Sequence, residues 1–82
     1  MEYQLGISEK ARGQLRDLPR EQRRLIGQRL EALRHGLRGD VRKLAATKNH
    51  YRLRVGDYRI LFVLESDVIG VYGVRNRKEA YE

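Results

Sequence analysis

The sequence predicts an α+β fold in the order β-α-α-β-β-β, a helical hairpin packed on one face of a small antiparallel sheet. Three observations lead there. Tyr3, Leu5 and Ile7 alternate with Glu2, Gln4 and Gly6, the period of a half-buried strand. Ile26, Leu30, Leu33 and Leu37 recur at i, i+4, i+7 and i+11, the stripe of an amphipathic helix. From Tyr51 onward the alternation returns, broken at Gly56-Asp57 and Ser66-Asp67, pairs that make tight turns. Two helices followed by successive strands argue α+β, the joint apolar face of the helices being covered by the sheet. The 82 residues form one domain, 1–82. Scaling laws let so short a chain bury roughly 64% of its unfolded surface, enough for one modest core.

Taken in order, the first strand ends at Ser8, which offers a helix N-cap, with Glu9 in the first turn where a negative charge suits the helix dipole. Ala11, Leu15 and Leu18 follow at helical spacing. Gly13 inside this helix costs about 1 kcal/mol relative to alanine. Pro19 restarts the pattern as the first turn of a second helix. Leu25 and Ala32 widen that helix's stripe, His35 sits in its last turn, and Gly36 stops it. Arg20, Arg23, Arg24, Arg29 and Arg34 fall mostly off the stripe and read as a solvated face. Leu37 to Asn49 reads as a polar loop with a turn at Gly39-Asp40. Three strands remain: Tyr51 to Val55, Tyr58 to Leu64, and Val68 to Val74.

Composition excludes several function classes. There is no cysteine, so disulfide scaffolds, thiol catalysis and zinc-thiolate sites are ruled out. No apolar run approaches the ~18 residues of a membrane span, and the start lacks a secretory pattern. A soluble cytoplasmic protein with no membrane association is expected. Lys and Arg number 18 against 11 Asp and Glu, a net charge of +7. The lysines are only Lys10, Lys43, Lys48 and Lys78. Arginine suits planar phosphate recognition, and such a charge draws polyanions, nucleic acid first and an acidic protein partner second. Residues 41 to 59 concentrate it, with Arg42, Lys43, Lys48, Arg52, Arg54 and Arg59 against Asp57.

Register sharpens that clue. A two-residue turn at Gly56-Asp57 pairs Val55 with Tyr58, Arg54 with Arg59, and Leu53 with Ile60. Tyr51, Leu53, Val55, Tyr58, Ile60 and Phe62 then share the core face, and Arg52, Arg54 and Arg59 share the other. Like charges directly opposed across strands are destabilising. Nothing in the flanking sequence neutralises them, so a phosphodiester is the expected counter-charge. Leu61 and Val63 on the same face suit a stacked base or a partner's apolar residues. The strand ending at Val74 releases Arg75, Arg77, Lys78 and Tyr81 near the sheet edge. A helical turn from Asn76 sets Arg77 and Tyr81 on one side. Tyr81 reads as a core lid, a base-stacking ring or a proton-handling group. His35 reads as a helix-end residue, and His50 as a group able to approach a substrate. Two separate histidines without converging carboxylates make no metal site. No Gly-rich phosphate loop and no Ser-His-Asp arrangement is present, and no cofactor is expected.

With these residues in place, the whole chain resembles the RelE/ParE superfamily of toxin-antitoxin toxins. The likeness lies in the element order and in Arg42-Lys43-Leu44 before the sheet. It lies further in Tyr51-Arg52-Leu53-Arg54-Val55-Gly56-Asp57-Tyr58-Arg59-Ile60 and in Arg75-Asn76-Arg77-Lys78-Glu79-Ala80-Tyr81. The resemblance implies a ribosome-dependent endoribonuclease that cuts mRNA in the A site. Ribose 2′-oxygen attack would leave a 2′,3′-cyclic phosphate and a 5′-hydroxyl. It places the catalytic positions on Arg52, Arg54, Arg59, Arg75 and Tyr81, with Arg77 as a neighbour; from the charge distribution, Arg42, Lys43, Lys48, His50, Arg77 and Lys78 are expected to bind RNA. Familiar members carry lysine where Arg52 and Arg54 stand. Arginine stays protonated in proteins, so neither serves as an ordinary general base. The arginines are then left with electrostatic stabilisation, and Tyr81 with stacking or proton transfer. Many relatives have histidine where Asn76 stands, and the extra C-terminal helix of some members is expected to be absent or truncated. The implied partners are a RelB-like antitoxin, the ribosomal A site and mRNA. Two other readings stay open: a ParE-like toxin that inhibits DNA gyrase without catalysis, and a basic RNA-binding module without chemistry.

Overall fold

The computed structural model describes residues 2–45 and 48–76. Its elements are β1 (Gln4–Ile7), α1 (Glu9–Arg16), α2 (Arg20–Leu33), β2 (Asp40–Lys43), β3 (His50–Val55), β4 (Tyr58–Glu65) and β5 (Val68–Asn76). The strands form one sheet in the order β1-β5-β4-β3-β2. The α+β class and the helical hairpin on one sheet face match the expectation. Two features go beyond it. The sheet gains a fifth strand, β2, and it is mixed, because β1 runs parallel to β5 while β2 through β5 pair antiparallel.

Local chemistry explains the helices. Ser8 caps α1, its hydroxyl accepting from the Ala11 amide at 3.1 Å. Pro19 stands at the N-cap of α2, one place ahead of the first turn. That helix ends at Leu33, three residues before Gly36. The main chain of Tyr3 donates to the Arg34 carbonyl, and the Arg34 side chain donates back to the Tyr3 carbonyl. His35 bonds Glu2 and bridges to it through the backbone. The lead-in to β1 thus pulls the helix end into its own pairing. Gly36 and Leu37 then take positive φ, 78° and 59°, so Leu37 packs on the core from beyond the helix.

Tertiary pairing creates β2. Only Val41 in Asp40–Lys43 is apolar, so the segment carries almost no strand signal by itself. It is held by pairing Val41 with Leu53 and Arg42 with Arg52. Gly39 makes the approach possible. Its φ is 129°, and a Cβ there would lie 2.8 Å from Leu53 Cδ1. Gly39→Ala is expected to cost about 2 kcal/mol in a urea melt, the scale of one strained backbone position.

The core lies between the helices and one sheet face. Ala11, Ile26, Leu30 and Leu33 meet Leu53, Val55, Ile60, Phe62, Ile69, Val71 and Val74, all buried. Gln14 of α1 finishes the edge that β1 leaves open. β1 pairs with β5 only as far as Ile7 and Val71, and Gln14 Oε1 accepts from the Val74 amide at 2.7 Å. Among the described residues, no helix is long and apolar enough to cross a membrane.

Candidate nucleic-acid interface

Among the described residues, no helix covers the other sheet face, and the pairing registers order its side chains in rows. The β3–β4 hairpin has the predicted register, with Val55 opposite Tyr58 and Arg54 opposite Arg59. Gly56 at φ 59° provides the positive angle that a type II′ turn needs first. On the far side of β4, Arg59 pairs with Arg75. On the outer side of β3, Arg54 pairs with Asp40 and Arg52 with Arg42. One row across four strands therefore reads Asp40, Arg54, Arg59, Arg75. The next reads Arg42, Arg52, Leu61, Gly73, and the third His50, Val63, Gly70.

Arg75 reaches this face through a β-bulge. The β4–β5 register shifts between Leu61 and Phe62: Leu61 pairs with Gly73, but Phe62 pairs with Val71. Tyr72 is the extra residue. Without it, plain alternation from Ile69 and Val71 would bury position 75 and expose position 74. With it, Val74 is buried and Arg75 is exposed. The strand also runs two residues past Val74, so Arg75 and Asn76 belong to β5 rather than to a released tail.

Like-charge neighbours directly opposed cost roughly 0.2–1 kcal/mol per pair, and the 54–59–75 row stacks two such pairs. At the β2 end the fold offsets this with a carboxylate. The Arg52 guanidinium donates to the Asp40 carbonyl at 3.5 Å and lies 3.8 Å from its carboxylate, and its side chain is 13% exposed. The expectation that nothing neutralises the arginines is thus corrected at the β2 edge. Asp40 escaped notice because β2 did. Arg54 and Arg75 are exposed and Arg59 is half-buried. An anion laid across the row meets several charge-assisted donors at once, roughly twice as strong as neutral ones.

The face grades from cationic to apolar. Leu61 and Val63 floor its middle, and beyond them a hollow of about 380 Å³ is lined by Val63, Glu65, Ser66, Val68 and Gly70. The bulge turns Tyr72 over this floor. Its hydroxyl lies 3.1 Å from His50 Nδ1, with the rings edge-on at 5.4 Å between centroids. Tyr72 is the residue that sequence reasoning missed. The signal was Val71 and Val74 spaced by three, each directly after a glycine, Gly70 and Gly73, a spacing that simple alternation cannot bury.

The remaining site expectations divide. His50 and Arg42 share the arginine face, whereas Lys43 pairs with Tyr51 and so takes the helix side. Lys48 is exposed in the turn before β3. Arg77, Lys78 and Tyr81, with the helical turn proposed around them, lie outside the described residues. Among the described residues, no three His, Asp or Glu side chains cluster as metal ligands.

Fold and face together define a small α+β protein with a cationic sheet face that no helix among the described residues covers. A family model described as the ParE toxin of type II toxin-antitoxin systems, parDE, matches residues 5–81, and the chain belongs to that family, within the RelE/ParE superfamily. It is similar to Toxin RelE3 of Methanocaldococcus jannaschii, 39% identical over 46 residues, which span 56% of this chain and 52% of that protein. The match thus covers about half the length of that curated relative. The toxin–antitoxin complex RelB-RelE from Methanococcus jannaschii superposes with a TM-score of 0.80 at 28% identity, covering 93% of this chain and 94% of that one. A mutant of E. coli RelE in the free state shares the fold, with a TM-score of 0.83 at 21% identity over 99% and 90% of the two chains.

Proposed function

We propose that this protein is a RelE-type toxin that cuts mRNA in the ribosomal A site and so arrests translation. The observation that carries the reading is the Arg54–Arg59–Arg75 row, with Arg52 and Arg42 beside it, on a face that no helix among the described residues covers. A fold gains nothing from opposed guanidinium groups, and a phosphodiester needs such a set. As the 2′-oxygen attacks, the phosphorus gains negative charge in its equatorial oxygens. Arg52, Arg54, Arg59 and Arg75 are the donors for that charge, and Tyr81 is the further catalytic residue. Arg42, Lys48, His50, Arg77 and Lys78 are assigned to holding the RNA, while Lys43, on the helix side, is left out of that set. A RelB-like antitoxin is the expected partner in the cell. RelE crystallised with its RelB antitoxin in the Methanococcus jannaschii complex, and an acidic or amphipathic segment suits the +7 charge here.

The family match favours one other reading, inhibition of DNA gyrase in the ParE manner. Two parallel assays with the purified chain separate them. The RNA-cutting reading expects arrest of a reconstituted translation reaction and no change in gyrase supercoiling. Inhibited supercoiling with undisturbed translation contradicts it.

A further inference from the structure

We propose that Tyr72 and His50 form a proton relay on this face, Tyr72 accepting the proton of the attacking 2′-hydroxyl and passing its own to His50. The inference rests on the RNA-cutting reading above. That chemistry needs a group to take the 2′-proton, and a guanidinium cannot serve. Tyr72 and His50 are on the same face as the arginines, and they are already hydrogen-bonded at 3.1 Å. Bulges re-aim side chains beside active sites, and Tyr72 is the residue this bulge re-aims. Both rings are half-buried, held in place yet partly exposed on the side that no helix among the described residues covers. Gly70 and Gly73 flank Tyr72 on the same strand, so no side chain of theirs keeps a ribose from the phenol. Gly73 and Arg75 are two strand residues apart, roughly 7 Å, within the joint reach of an arginine and a tyrosine side chain.

The step balances as follows. With the ring proton of His50 on Nε2, Nδ1 accepts from the Tyr72 hydroxyl. The 2′-hydroxyl gives its proton to the Tyr72 oxygen as the phenolic proton moves to Nδ1. The 2′-oxygen to phosphorus bond forms, and the bond from phosphorus to the 5′-oxygen breaks with its electron pair leaving on that oxygen. Solvent water protonates the 5′-oxygen, and the imidazolium returns its extra proton to the hydroxide formed. Leu44 and Val63 are the backbone neighbours of His50 on either side. Among the described residues, the charged groups sharing its face are Asp40, Arg42, Arg52, Arg54, Arg59 and Arg75 toward the hairpin and Glu65 at the other end.

Single-turnover cleavage of ribosome-bound message, with toxin saturating, tests the relay as a function of pH. The rate of the wild-type chain should rise with pH as the base loses its proton. Tyr72→Phe keeps the ring and removes the hydroxyl. It should bind programmed ribosomes normally, cut roughly 10²-fold more slowly and lose the rise with pH. His50→Gln should lose the same rise. Cutting by Tyr72→Phe at the wild-type rate, or slow cutting with the rise intact, overturns the relay and leaves the RNA-cutting reading standing. A wild-type chain that does not cut sinks that reading, and the relay with it.

Discussion

The double substitution Arg59→Ala, Arg75→Ala is expected to slow cleavage by about 10⁴-fold while leaving the fold intact. Removing one preorganised donor from a site that stabilises developing charge typically costs ~10²–10³, and these two residues face each other across β4 and β5. Their removal also deletes a like-charge pair. Thermal stability should therefore stay within about 1 kcal/mol of the wild type. Single-turnover cleavage on ribosomes and a melting curve on the same samples read both halves. Normal cutting by the folded double variant rejects these positions as the phosphate clamp. A collapsed melting temperature would mean instead that the arginines hold the fold together.

Phe62→Ala is expected to do the reverse, removing about 3–5 kcal/mol of stability. Phe62 is fully buried. It pairs with Tyr51 on β3 and Val71 on β5, and its ring stacks on Tyr51 at 5.5 Å. For a chain of this length the general scale of ~0.05–0.15 kcal/mol per residue gives a total of roughly 4–12 kcal/mol, so the variant stands near the edge of unfolding. A urea titration should show the midpoint falling with the slope unchanged. A midpoint within error of the wild type would contradict the core assignment.

Legibility in the sequence followed the range of the forces involved. The helical stripe and the β3–β4 hairpin were readable because periodicity and a two-residue turn act over a few residues. Once Gly56-Asp57 was read as the turn, Arg54 had to oppose Arg59, and the structure pairs them so. β2 was not readable. Its strand character comes from Leu53 and Arg52 on a neighbour, not from Asp40-Val41-Arg42-Lys43 itself. The same miss hid Asp40, the carboxylate that tempers Arg52. The bulge was the second limit. It reverses the inside-outside alternation at Tyr72, which sends Arg75 to the arginine face and Val74 to the core. The place of Lys43 on the helix side follows from the register of β2, and nothing short of the pairing could reveal it.

The arrangement separates the face that folds the molecule from the face that carries the arginines. Stability resides in one apolar face and its helical cover. The opposite face is free to hold charges that repel one another, at a cost the core can absorb.

Primer extension on programmed ribosomes tests the central claim most directly. Message held with an occupied P site and an empty A site is mixed with the purified chain, beside a ribosome-free control. The account predicts cuts at A-site codons on ribosomes only, ending in a 2′,3′-cyclic phosphate. Message left intact on ribosomes by a folded chain would contradict it.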